Sequence, residues 1–171
     1  AIREALRPRR WADGDIVQEV MVESMRHLEG EPFETLCRAA RDLGFVADNE
    51  RGLDSRDRHR RGHAMERLGL LRAHKAVPRI VELLLGEKMD MQLVALRALA
   101  AIGDPSVLPH FVAVAGRMPP GLLPRTASMM LEFGAPGRDA VRELLNLRAA
   151  AFPDASVSDL LKALAQDWGA E

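Results

Sequence analysis

A pattern of apolar and turn residues returns along this chain every thirty-one positions, and no other property of the sequence narrows its fold as far. In MDMQLVALRALAAIGDPSVLP (89–109), Ala95, Leu99, Ile102, Leu108 and Pro109 stand where Ala64, Leu68, Leu71, Val77 and Pro78 stand one period earlier. One period later, Met130, Phe133, Gly134 and Pro136 take the places of Leu99, Ile102, Gly103 and Pro105, and a further step brings Leu161 and Leu164 to the first two of those places. A unit of this length holds one helical hairpin, which cannot bury its apolar face alone and must lean on the next hairpin along. The fold expected is all-α, a right-handed α-solenoid (an α-α superhelix) of stacked hairpins.

Apolar spacing and capping residues place the helices. A first helix is expected over 15–29, with Ile16, Val17, Val20, Met21, Met25 and Leu28 on one stripe and Gly30 closing it. A second runs from Pro32 to Leu43, with Gly44 as its left-handed stop. These two form a capping hairpin, and the polar stretch 45–53, containing Asp48, Asn49, Glu50, Arg51 and Gly52, reads as the longest loop of the chain. Three helical pairs follow, over 54–72 and 77–86, 90–102 and 106–117, and 122–133 and 138–147. The helix over 122–133 is apolar around much of its circumference, as suits one flanked on both sides. A last helix over 157–168, capped by Ser156, ends the array. The division is thus a basic segment over 1–13, a capping hairpin with its loop over 14–53, and repeats with a terminal cap over 54–171, with 14–171 as one continuous domain.

Composition excludes several classes. With 171 residues, 47% of them apolar, the chain is long enough to bury a core. A net charge of -1 opposes a protein that coats nucleic acid. The lone Cys37 can form no internal disulfide, and its spacing with Phe33, Leu36 and Ala40 makes it a packed small side chain. No apolar run approaches the ~20 residues that cross a bilayer. The start at Ala1 suggests a piece of a longer protein, and Arg3, Arg7, Arg9 and Arg10 would suit the cytoplasmic side of a membrane anchor outside this sequence. The expected location is cytoplasmic.

The units RRGHAMERLGLLRAHKAVPRIVELL (60–84) and VALRALAAIGDPSVLPHFVAV (94–114) resemble HEAT repeats of the short, bacterial, phycobilisome-lyase-like type. The resemblance covers roughly 54–147. Where family patterns often place Asp-Pro and Val-Arg, this chain reads DMQLVA, and only Arg60 and Arg61 fit in the preceding unit. The resemblance implies a non-catalytic scaffold or adaptor that binds protein, with the second helix of each pair lining a concave side; on that reading Arg79, Glu82, His110, Arg117 and Arg142, with Glu143, would meet the partner. HEAT-like DNA glycosylases and bilin lyases are the alternatives it suggests. No His-Glu dipeptide of the HEAT-like iron hydroxylases occurs, and Trp11 and Trp168, near opposite ends, read as cap anchors.

The sharpest local feature is the charged run DSRDRHRRGHAMER (54–67). On a helix, Arg56, Arg60, His63 and Arg67 fall along one exposed stripe suited to an anion or an acidic partner. No aromatic residue is interleaved with these arginines to stack on bases, which opposes single-stranded nucleic acid. His59 and His63 have metal-ligand spacing, but Arg60 stands where a zinc protease needs Glu, and the flanking arginines repel a cation. No cofactor, metal site or small-molecule substrate is expected; the expected partner is a protein.

Overall fold

The computed structural model describes residues 11–151, with side chains from 16 to 150. Nine α-helices make up this part: α1 (Trp11–Met25), α2 (Gly30–Asp42), α3 (Phe45–Gly52), α4 (Arg58–Leu70), α5 (Val77–Gly86), α6 (Met89–Ile102), α7 (Leu108–Ala115), α8 (Leu123–Leu131) and α9 (Ala135–Ala151). Short 3-10 turns precede α5, α7 and α8. No strand occurs among the described residues, and no helix there is long and apolar enough to cross a membrane. Residues 1–10 of the basic segment, Trp168 and the terminal helix with Leu161 and Leu164 lie outside the described residues, whereas residues 11–13, expected to belong to that segment, already form the start of α1.

Packing passes chiefly between neighbours. The extensive contacts join α4 to α6, α5 to α6, α3 to α4, and α9 to both α7 and α8; α6 meets α8 more lightly, so along α4, α6 and α8 each helix touches the next. Burial keeps the thirty-one-residue register: Ala64, Ala95 and Thr126 are buried, as are Leu68, Leu99 and Met130. Thr126 is tolerated there because its hydroxyl donates to the Leu122 carbonyl at 3.0 Å. An ion pair between Glu66 of α4 and Arg97 of α6 spans the same interval of 31. α8 ends at Leu131 rather than at Phe133; Leu123, Ala127, Met129 and Met130 are buried, Leu131 is partly so, and Phe133 lies partly buried just beyond the helix.

The turns repeat too. Arg72 (φ 46°), Gly103 (φ 78°) and Gly134 (φ 67°) are left-handed and stand one period apart. At the first, the Ala73 amide donates to the Leu68 carbonyl at 3.0 Å and the Arg72 amide to that of Gly69 at 3.0 Å, a Schellman stop with arginine in the glycine's place. Arg72 is held there from outside: its guanidinium lies 4.7 Å from the Phe33 ring centroid and 3.6 Å from Glu34, tying the end of α4 to α2. Arg72→Ala keeps the backbone strain and loses the ring contact, whereas Arg72→Gly loses the contact but relieves the strain. Chemical denaturation should therefore find the glycine variant more stable than the alanine variant by about 1 kcal/mol.

Several expectations are corrected. The stretch expected as a loop over 45–53 is helix α3 through Gly52 with Leu53 at its end, because Phe45 and Leu53 bury themselves and the Asn49 amide, also buried, donates to the Phe45 carbonyl at 2.7 Å. α1 ends at Met25 rather than near Gly30, and it turns Met21, Val22 and Met25 inward while Ile16 (65% exposed) and Val20 (59%) face out. α4 starts at Arg58, not near Asp54, because the Asp57 carboxylate accepts from the His59 amide at 2.9 Å and caps the helix. The turn before α9 is shorter than Gly-Ala-Pro-Gly suggests: α9 begins at Ala135 with Pro136 in its first turn, and a Cβ on Gly137 would overlap the Met130 carbonyl. Cys37 is 2% exposed, and burial, then the Glu34 carboxylate, pushes its thiol pKa up, so it packs as a neutral side chain.

Candidate functional site

Where α1, α3 and α4 meet, a cleft of about 650 Å³ opens. α4 contributes Arg60, His63, Ala64 and Arg67; α3 contributes Asp48, Asn49 and Gly52; α1 contributes Gln18 and Glu19. Local sequence explains the closeness of the walls. Gly52 and Ala64 face each other where α3 crosses α4, and a Cβ on Gly52 would sit 3.0 Å from that of Ala64. Helical periodicity then carries Arg60, His63 and Arg67 to the cleft side of α4, while Met65 and Leu68 point into the core.

The cleft brings together three of the four stripe residues. Arg56 is separated from them: it precedes the Asp57 cap, and its carbonyl accepts from Arg61 at 3.2 Å. Arg67 donates to Glu19 at 2.8 Å and to the Gln18 side-chain oxygen at 3.4 Å. Asp48 is paired with Arg51, and His63 stands 3.9 Å from Glu66. Arg60 is exposed and has no carboxylate partner among the described residues. Gln18 is 5% exposed, and its side-chain nitrogen has no acceptor.

Gln18 and Asn49 escaped the sequence reading. Gln18 lies three and seven positions before Met21 and Met25, on the face that α1 buries, so periodicity carried a signal that the apolar stripe chosen for α1 hid. Asn49 was absorbed into the expected loop. Arg61 is a structural tie of the same kind: its side chain is 16% exposed, donates to Glu87 at 2.7 Å and to the Ser55 carbonyl at 2.8 Å, and fastens the loop before α4 to the α5–α6 junction.

The residues expected on a concave face are not gathered at one place. Arg79 lines a separate cleft of about 620 Å³ with Asp54 and Lys75, and donates to Asp54 at 2.8 Å and to Glu82 at 2.6 Å. Those carboxylates, Glu82 foremost, hold its guanidinium pKa above the usual value. Arg117 lines a smaller apolar-edged groove with Leu85, Met89 and Met118, and its Nε donates to the Ala113 carbonyl at 3.2 Å. Arg142 pairs with Asp139 on its own helix, and His110 is half-buried on α7. Among the described residues no three His, Cys, Asp or Glu side chains are placed to hold a metal ion. Compared with protein-family models, curated proteins and solved structures, the chain matches none.

Proposed function

We propose that this chain is a non-catalytic protein-interaction module, a right-handed α-solenoid of HEAT-like hairpins whose inter-helix clefts receive a partner polypeptide. The observation that carries the reading is the form of those clefts: open, lined by charged side chains, and set between helices of the array (α1, α3 and α4 in one, α3 and α5 in the other) rather than closed over an apolar chamber. Small molecules are bound mostly in deeper, largely apolar cavities, whereas a polypeptide can use several shallow polar sites in series. The row α4, α6 and α8 supports the solenoid, since each of these helices leans on the next.

A nucleic-acid reading fares worse on charge. Arg58, Arg61, Arg67, Arg72, Arg79 and Arg97 each face a carboxylate, so their charge is spent within the protein rather than presented to a phosphate backbone. A photoreactive amino acid placed at His63 or Arg117 should crosslink a discrete polypeptide in source-cell extract, and one at the exposed Arg38 should not. Crosslinks to nucleic acid from the two cleft positions, with none to protein, would contradict the proposal.

A further inference from the structure

We propose that the α1–α2 hairpin is a hinged strap, held shut by Glu19 and Glu34, which opens as a unit about Gly44 while α3 to α9 stay folded. The apolar interior is divided in two. The larger core runs from Leu53 to Leu144 and, among the described residues, takes none from α1 or α2. The smaller core joins Met21, Met25, Phe33, Cys37, Ala39 and Ala40 of the hairpin to two buried residues from beyond it, Phe45 and Leu71. Val46, partly buried, packs against both cores. The hairpin thus buries most of its apolar surface against itself and little of it against the repeats.

The polar ties between the hairpin and α4 lie in water. Glu19 of α1 reaches Arg67 at 2.8 Å and Glu34 of α2 reaches Arg72 at 3.6 Å, with the two carboxylate side chains 65% and 53% exposed. Ion pairs so placed add little each, since solvent and salt compete for both partners. The crossing of α4 on α6 is of another order, because Gly69 sets backbone against backbone there. Between α2 and α3 the chain passes through Gly44, which has φ 83° and no atom within 4 Å of where a Cβ would stand, so the joint has room to turn. A part with a small core of its own and exposed ties opens at a lower free energy than the whole. Once open, Phe45 and Leu71 form an apolar patch beside two guanidiniums released from Glu19 and Glu34. Opening needs no partner, so it stands or falls apart from the protein-binding reading; joined to that reading, it makes the hairpin an autoinhibitory cover over this patch.

Native-state hydrogen exchange of the full chain, read by NMR, separates opening of the strap from global unfolding. Detached, a hairpin with so small a core cannot hold its helices, so the amides of Met21 and Cys37 exchange through the open state. Ile80→Val trims the larger core, where Ile80 is fully buried, and should lower the protection of the Leu96 and Leu99 amides about fivefold. The same substitution should leave Met21 and Cys37 unchanged, because it weakens the closed and open states alike. Glu19→Gln combined with Glu34→Gln should lower the protection of Met21 and Cys37 about fivefold, the loss of two exposed ion pairs. Equal falls at Met21 and Leu96 with Ile80→Val would show that the hairpin opens only when the whole chain unfolds, which overturns the proposal. Protection at Met21 and Cys37 untouched by the double glutamine variant would overturn it too, since the two carboxylates would then hold nothing shut.

Discussion

Phe111→Ala is expected to lower the unfolding free energy by about 3–5 kcal/mol, a large part of the ~5–15 kcal/mol that holds a domain folded. Phe111 on α7 is fully buried, and its ring meets that of Phe133, just beyond α8, edge to face with centroids 5.8 Å apart at 79°. Truncation removes the apolar burial and leaves a void that α7 and α8, fixed in turn by α9, can only partly close. Urea denaturation should show a lower midpoint with an unchanged slope. Set in a double-mutant cycle with Phe133→Ala, the pair should show a coupling of about 0.5–1.5 kcal/mol, from the specific ring geometry. A loss below about 1 kcal/mol would mean that the ring is not enclosed.

Gly69→Ala poses a sharper contest, because two effects of opposite sign compete at one helix position. Propensity alone favours alanine inside a helix by about 1 kcal/mol. Packing opposes it: a Cβ at Gly69 would lie 2.9 Å from the Ala98 Cα and 3.1 Å from its carbonyl oxygen, both backbone atoms of α6. No side chain can swing aside there, so α4 and α6 must separate, and overpacking of this kind costs about 1–3 kcal/mol. The net result expected is destabilisation, greater still for Gly69→Val. An alanine variant more stable than the parent protein would show that α4 and α6 do not cross so closely.

Gly69 also shows what a sequence can and cannot disclose. Helix spacing made the large apolar positions legible: Leu68, Leu99 and Met130 were placed by their interval and are all buried. The bounds of α5 follow from Val77, Pro78 and Gly86, where a favoured first-turn proline and a terminal glycine coincide with the apolar pattern. Close approach of backbones leaves no such trace, since Gly69 differs from a tolerated helical glycine only through Ala98, twenty-nine positions away.

The misreadings have physical causes as well. The run Asp48-Asn49-Glu50-Arg51-Gly52 has the composition of a turn, yet Phe45, Asn49 and Leu53 fall at helical spacing, and tertiary burial of the two apolar ends decided the matter. Arg72 hid the repeat's first left-handed position because no glycine marked it; its contact with Phe33, distant in sequence, stabilises a backbone that local rules disfavour. Of the candidate site, the arginine and histidine face of α4 was legible, because it depends on one helix. Gln18 was not, since it reaches the cleft only through the packing of α1 on α4.

The central claim, that successive hairpins stack at a thirty-one-residue interval, can be measured directly with spin labels at Glu66, Arg97 and Ser128, in a Cys37→Ala background. These positions stand one period apart on α4, α6 and α8, and at least partly accessible side chains occupy all three. Helices packed side by side lie about 8–10 Å apart, so a stacked row predicts roughly 10 Å between the helices for labels one period apart and roughly 20 Å for the pair at 66 and 128. Dipolar broadening that places 66 and 128 as close together as 66 and 97 would mean that α4, α6 and α8 close on one another as a bundle, and the stacked account would be wrong.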